Sequence, residues 1–285
     1  MKAYFRLLFA FIALGLVAAA VVGVVYVWEN LVVPKQRVEA EIAEIKNRKK
    51  SKVDYGQNTY QDALTLLRTG QRGAAVAKLH ELMIYYQDSE FYPEAKRIVG
   101  EINIDRLLSR EPAPGKSEYI VESGDVLSRI ASKAKSTVGY IIHVNNRMGS
   151  ALQKGDQLIV SDLDFRISVN LSEKSVTLRT ADDKFFKEYK LIDFKRPPNT
   201  PREFDTEISS LIVGTGARLI PVGTPNYVGA QKELRCKLRG VALRAKSGDP
   251  QKDKYMTGIF LEREDIEELA LIIRPGVQVW VRAQS

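Results

Sequence analysis

Apolar and polar positions recur with different periods along this chain, and each period predicts a different element. Residues 7-LLFAFIALGLVAAAVVGVVYVW-28 form a run of 22 residues without a charge. As a helix rising about 1.5 Å per residue, the run matches a hydrocarbon layer of roughly 30 Å. Backbone groups in lipid must pair internally, so residues 1–30 are predicted to be a transmembrane helix, with Tyr26 and Trp28 at the interface. The competing reading is a cleaved signal peptide with Ala18-Ala19-Ala20 as the cleavage region; the apolar run continues past that point, which favours retention. Residues 31–53 read as a charged juxtamembrane helix with Val38, Ile42 and Ile45 on one stripe. Its cluster 46-KNRKKSK-52 suits either anionic lipid or a solvated face.

The period stays helical over 54–111, where paired helices are expected. Ala63, Leu64, Leu66 and Leu67 form a stripe in 60-YQDALTLLRTG-70, Gly70 stands where a helix cap belongs, and 73-GAAVAKLHELMIYYQDS-89 repeats the pattern. Pro and Gly in 111-EPAPGKS-117 mark a linker, placed at 112–117. Residues 118–161 then read as strand, helix, helix, strand. Tyr119 to Val121 is a strand, and Asp125 in the following turn can cap a helix whose apolar face is Leu127, Ile130 and Ala131. Val138, Ile141 and Ile142 face a second helix ended by Asn145-Asn146, and Lys154-Gly155-Asp156 turns into a strand from Gln157 to Val160.

From 162 to 285 the period falls to two. Phe165, Ile167, Val169 and Leu171 alternate with Arg166, Ser168 and Asn170, and further strands are predicted at 174–180, 184–192 and 277–282. One late helix stands out at 264–273, with Ile266, Leu269, Ala270 and Ile273 on one face.

Composition narrows the partners. The chain has 285 residues, 45% of them hydrophobic and 27% charged, so it can build packed cores. Its net charge of +8 asks for an anionic neighbour such as lipid headgroups or a carboxylate-bearing polymer. The basic residues are spread along the chain and no nucleic-acid module is visible, so nucleic acid is not an expected partner. Cys236 is the one cysteine, which excludes an intrachain disulfide and a cysteine-based metal site. The histidines are His80 and His143, both outside the last third. No cofactor and no metal is expected.

Residues 118–161 resemble a LysM domain. The resemblance is carried by the Tyr-x-Val strand, the Gly-Asp-x-Leu turn, Ser-x-Ile-Ala, Asn-Asn and Lys-Gly-Asp-x-Leu, with Val126 where that family usually has Thr. It implies binding of N-acetylglucosamine-containing glycan, chiefly peptidoglycan. The implied groove lies between Gly124, Asp125, Val126 and Leu127 and the segment Asn145, Asn146 and Met148. For Asp125 and Asn145 a role in holding turns together is the stronger one even if sugar binds. Peptidoglycan lies outside the inner membrane, so the resemblance also orients the chain: a single-pass inner-membrane protein of a bacterium, with the later domains on the periplasmic or wall side. Residues 63–86 resemble one degenerate tetratricopeptide unit, and 54–111 are read as a spacer or a surface for a protein partner.

The last stretch, 162–285, resembles the catalytic domain of an L,D-transpeptidase (YkuD-type). The opening double strand, Thr200-Pro201 before Phe204, and the closing 258-GIFLEREDIEEL-269 followed by 274-RPGVQVWV-281 carry the resemblance. That family's Ser-His-Gly-Cys-Ile-Arg-Leu signature aligns with 255-YMTGIFL-261, followed by Asp265. Gly258 then stands in the nucleophile position, Met256 in that of the signature histidine, Phe260 in that of the arginine, and Arg244 in that of a second, upstream histidine. Cysteine acyl transfer needs a thiolate, a base and oxyanion donors, and the domain has no histidine and no cysteine there. Cys236 alternates with Arg235 and Lys237 on the apolar face and reads as a core thiol; Ser247 and Thr257 have no base near them in sequence. Between Lys232 and Lys246 stand Lys232, Arg235, Lys237, Arg239, Arg244 and Lys246 against one acid, Glu233. Arg239 and Arg244 are thus candidates for binding anions, the alternative being a solvated strand face.

The expected architecture is a multidomain α+β chain: transmembrane helix, tetratricopeptide-like helical hairpin, βααβ LysM module and a mainly-β L,D-transpeptidase-like domain. The expected function is a noncatalytic tether or scaffold at the cell wall; the alternative is a divergent active L,D-transpeptidase that crosslinks peptidoglycan.

Overall fold

A computed structural model describes residues 54–285 except 148, 215–219, 228 and 284–285. The anchor of 1–30, the juxtamembrane helix of 31–53 and Met148 lie outside the described residues. No helix among the described residues is long and apolar enough to cross a membrane.

The helical part contains a third helix beyond the expected pair: α1 is Gly56–Arg68, α2 Arg72–Tyr85 and α3 Tyr92–Leu108. Gly70, just past α1, donates its amide to the Leu67 carbonyl at 3.0 Å, which closes that helix. Tyr60, Ala63, Leu79, Leu82, Met83, Ala95 and Val99 form a small core between the three, with Tyr60 stacked on Phe91 at 4.6 Å. Pro93 enters α3 in its first turn, where its missing amide costs nothing.

The βααβ segment consists of β1 (Lys116–Ile120), α4 (Leu127–Lys133), α5 (Val138–Val144) and β2 (Gln157–Ser161). Strand β1 begins inside the segment expected as a linker, because Lys116 and Ser117 pair antiparallel with Ser161 and Val160. Leu127, Ile130 and Ala131 of α4 are buried, as is Ile141 of α5. The Thr137 hydroxyl accepts the Tyr140 amide at the start of α5 and donates to the Leu271 carbonyl.

The rest is one nine-stranded sheet with the order β5-β4-β3-β11-β7-β8-β9-β10-β6. Its strands are β3 (Phe165–Asn170), β4 (Ser175–Thr180), β5 (Phe185–Lys190), β6 (Asp193–Lys195), β7 (Phe204–Val213), β8 (Lys232–Cys236), β9 (Ala242–Arg244), β10 (Gly258–Phe260) and β11 (Gln278–Arg282). Helix α6 (Pro250–Tyr255) precedes β10, and α7 (Arg263–Ile272) follows it. The β3–β11 and β9–β10 pairs are parallel; the others are antiparallel. A flat sheet of this order would hold its edges roughly 40 Å apart at about 4.8 Å per strand. Yet the edge strands β5 and β6 are separated in the chain only by Leu191 and Ile192. The sheet is therefore curled until its edges meet. Ile167, Val169, Leu178, Leu243, Ile259, Val279 and Val281 line its buried face together with Ile266, Leu269 and Ile272 of α7.

The helices and the βααβ segment belong to the same compact unit as the sheet, which spans Tyr55–Ser285. Helix α3 lies on β5: Lys96 pairs with Glu188 at 2.7 Å, and the Asn103 side chain donates to the Phe186 carbonyl at 2.8 Å. Gly100 makes that approach feasible, since a Cβ there would stand 2.9 Å from Lys187 Cγ. Ile104, Val121, Ile130, Tyr140 and Leu158 share one continuous core with the sheet.

Candidate functional site

The position aligned with a nucleophile is closed by backbone. Gly258 opens β10, which runs between β9 and β6. Its φ is +124°, a region that L side chains rarely adopt. A Cβ at 258 would collide with the Ala242 carbonyl oxygen and stand 3.0 Å from the Ala242 nitrogen. No side chain fits at 258 with this backbone, whatever its chemistry. Met256 caps the end of α6 and is half-buried. Phe260 is wholly buried, with the Lys195 ammonium 5.7 Å from its ring centre.

Cys236 closes β8 and is 7% exposed. Burial pushes its thiol up to about 12, so at neutral pH almost none of it is thiolate. The histidines stand on other elements, His80 in α2 and His143 in α5. Thr257 donates its hydroxyl to the Gly240 carbonyl at 2.7 Å. Ser247 differs from the expectation: its hydroxyl donates to Asp253 Oδ1 at 2.7 Å, so a carboxylate does lie beside it. Asp253 also accepts the Ser247 amide at 2.8 Å. These hydrogen bonds, the side-chain one first, hold its carboxyl below the usual carboxylate range. A carboxylate so stabilised is a weak base, and the pair brackets the loop before α6. Asp265, at the start of α7, is pushed the other way, up to about 6, chiefly by burial and then by Glu268.

Arg244 ends β9 and does meet acid. Its Nη2 lies 3.0 Å from Glu233 Oε1, the same oxygen that Arg235 Nε reaches at 2.8 Å. Arg244 Nε is buried and has no hydrogen-bond partner among the described residues. Arg239 is exposed in the hairpin between β8 and β9. Glu233, Arg235, Cys236, Arg239, Val241 and Arg244 surround a hollow of about 400 Å³. The two candidate anion binders are therefore brought together, and Arg235 and Glu233 join them.

The residues expected to hold glycan divide by role. Asp125 does not cap α4, whose N-cap Val126 receives no side-chain bond. Its carboxylate accepts instead from the Tyr119 hydroxyl at 2.9 Å and the Glu122 amide at 2.9 Å, which closes the turn after β1. Asn145 is spent on structure. Its Nδ2 donates to the Ile141 and Ile159 carbonyls, each at 2.9 Å, and its Oδ1 accepts the Ile159 amide at 2.8 Å. Leu127 is buried in the core, and the Gly124 carbonyl accepts from Arg129 at 3.1 Å. Val126 (49% exposed) and Asn146 remain open to solvent. The two halves of the expected groove are tied through the turn at 154–156. Val121 donates to the Asp156 carbonyl at 2.9 Å, and Arg147 pairs with the Asp156 carboxylate at 3.0 Å.

A larger cavity of about 780 Å³ is lined by Ile142, His143 and Asn146 together with Thr224, Tyr227 and Leu271, so Asn146 borders both it and the expected groove. The Tyr227 hydroxyl is buried there without a partner among the described residues. The cavity's walls come from three segments far apart in the chain, around 142–146, 224–227 and 271, so no local pattern marks it. Among the described residues no group of His, Cys, Asp and Glu could hold a metal ion.

No family model matches the chain, and no curated protein matches it. Among solved structures the chain is similar to an L,D-transpeptidase from Stackebrandtia nassauensis at 14% identity and a TM-score of 0.31, over 42% of this chain and 56% of that one. It is similar to a fused zinc-dependent amidase/peptidase/peptidoglycan-binding domain protein from Clostridium acetobutylicum at 10% identity and 0.31, over 42% and 52%. A third is an L,D-transpeptidase from Mycobacterium smegmatis, at 13% identity and 0.29, over 42% and 59%. The chain spans about half the length of these proteins.

Proposed function

We propose that this chain is a noncatalytic cell-wall binding protein: a βααβ module that takes N-acetylglucosamine-containing glycan, carried on an L,D-transpeptidase-like sheet that performs no acyl transfer. In this reading residues 1–30 anchor it in the inner membrane of a bacterium, with the Tyr55–Ser285 unit on the wall side, and it tethers or scaffolds the two. One observation carries the noncatalytic part. At Gly258 the backbone leaves no room for a side chain, and the one sulfur in the sheet is buried with its thiol pushed up to about 12. A thiol–imidazole couple cannot be assembled from such parts. The binding part is supported by the LysM resemblance of 118–161 and by the solvent-open Val126 and Asn146 at the implied groove.

The test uses the full chain in detergent with purified sacculi. Removing residues 118–161 would break the shared core, so point variants replace that deletion. Cosedimentation that falls at least tenfold with Val126→Glu and Asn146→Glu supports the reading. Cosedimentation untouched by both overturns the groove. Crosslinked muropeptide that disappears in Cys236→Ala overturns the noncatalytic claim.

A further inference from the structure

The basic stretch 232–246 is neutralised unevenly. Lys232 is buried and bound by Glu267 and by the Tyr227 carbonyl at 2.9 Å. Lys237 is paired with Glu207, and Lys246 lies 3.7 Å from Asp193. The three arginines are left to one another. Arg235 and Arg244 compete for a single oxygen, Glu233 Oε1, at 2.8 and 3.0 Å. No ion pair reaches Arg239 among the described residues. Three guanidiniums against one carboxylate leave this hollow with an excess of two positive charges.

A buried N–H without an acceptor is costly, of the order of 1–3 kcal/mol, and more for a charged group. Arg244 Nε is such a group, and burial, the main cause, lowers the proton affinity of its guanidinium. An arrangement of this kind persists where something supplies the missing acceptor. The shape of that acceptor is visible in Glu233, whose carboxylate already bridges two of the forks. Planar guanidinium edges match planar carboxylates. The hollow of about 400 Å³ is at the lower end of the range for small-ligand sites. Cys236 and Val241 add apolar lining to it.

We propose that this hollow is a binding site for a small dicarboxylate, or for a group presenting two carboxylates within a few ångströms. One carboxylate meets the free edge of Arg244 and the other meets Arg239, with Arg235 closing the rim. The site retains its ligand and does not transform it. The proposal rests on the noncatalytic reading of the sheet and not on wall binding, so the two fail separately.

The test is calorimetric titration of the full chain with glutarate, using glutaramide, acetate and inorganic phosphate as comparisons, at low and high salt. Saturable glutarate binding that weakens at least tenfold in Arg239→Gln and in Arg244→Lys, with no binding of glutaramide, supports the site. Arg239 is exposed and has no ion pair to lose among the described residues, so its variant tests the site even if Arg244→Lys misfolds. Absence of saturable glutarate binding, or binding indifferent to Arg239→Gln, overturns it. Phosphate bound more tightly than glutarate overturns the carboxylate assignment.

Discussion

Leu191 and Ile192, neighbours in the chain, donate their amides to opposite ends of the strand order. Leu191 bonds to the Lys174 carbonyl, beside β4, at 2.8 Å, and Ile192 to the Phe260 carbonyl of β10 at 2.9 Å. This dipeptide is the seam that closes the curled sheet, and Leu191 is 4% exposed at it. Cutting the side chain back leaves a cavity that both edges must tolerate. Leu191→Ala is expected to lower stability by about 3 kcal/mol. Urea unfolding followed by tryptophan fluorescence and by far-ultraviolet circular dichroism should remain coincident, because the sheet is one unit. A loss under about 1 kcal/mol would mean that the seam is not load-sharing.

The closed backbone at Gly258 predicts that a thiol placed there creates no acyl-transfer site. Gly258→Cys must adopt a φ near +124° or displace Ala242. The expected cost is about 3 kcal/mol or more, read as a lowered midpoint in denaturant. No crosslinking of muropeptides should accompany it. A Gly258→Cys chain of unchanged stability that forms an acyl adduct would refute the steric argument.

Elements with a clean period were legible from the chain alone. Strands β3, β4 and β11 present one buried face each, and α7 buries Ile266, Leu269 and Ala270. The ten-residue strand β7 was not legible, because a bulge between Ile208 and Ser210 shifts its register and breaks the alternation. Helix α3 hid for another reason. It packs on α2 through Ala95 and Val99 and on β5 through Lys96 and Asn103, so its outline lacks a single apolar stripe. At the site, that position 258 is glycine and that 162–285 hold no histidine could be read directly. Arg235 stands two residues from Glu233 on one strand, and Arg244 reaches the same oxygen only through the pairing of β8 with β9. The Asp253 partner of Ser247 is six residues on, where it takes the turn before α6 to bring the two together.

Asp265 gives the chain a pH dependence with a defined sign. Its carboxyl is raised from 3.8 to about 6, first by burial and then by Glu268, against the pull of Lys187. Between those values the folded chain holds this proton more tightly than the unfolded one. The contribution to stability is therefore present below about pH 4 and is lost as pH rises towards about pH 6. Asp265→Asn removes the titration. The variant's advantage over the parent in urea unfolding should grow across that window and then level off. A difference that is constant with pH would assign the slope to other groups.

Asn145 separates holding a turn from holding a sugar. Its amide gives both protons to carbonyls, of Ile141 and Ile159, and takes the Ile159 amide in return. In Asn145→Asp the acceptor for Ile159 survives, but an ionised carboxylate would face two carbonyl oxygens that it cannot satisfy. The folded state then favours the protonated acid, which can still donate one of the two bonds, and the variant's carboxyl is raised. Its stability relative to the parent is expected to fall by roughly 2 kcal/mol at neutral pH. Most of that loss should return below about pH 4, since a raised carboxyl contributes stability only while it is protonated. Glycan binding at saturating sugar should be unchanged wherever the variant is folded, because both amide protons and one lone pair of Asn145 are already taken by the chain's own backbone. A variant as stable as the parent that no longer cosediments with sacculi would move Asn145 from the frame of the module into its binding surface.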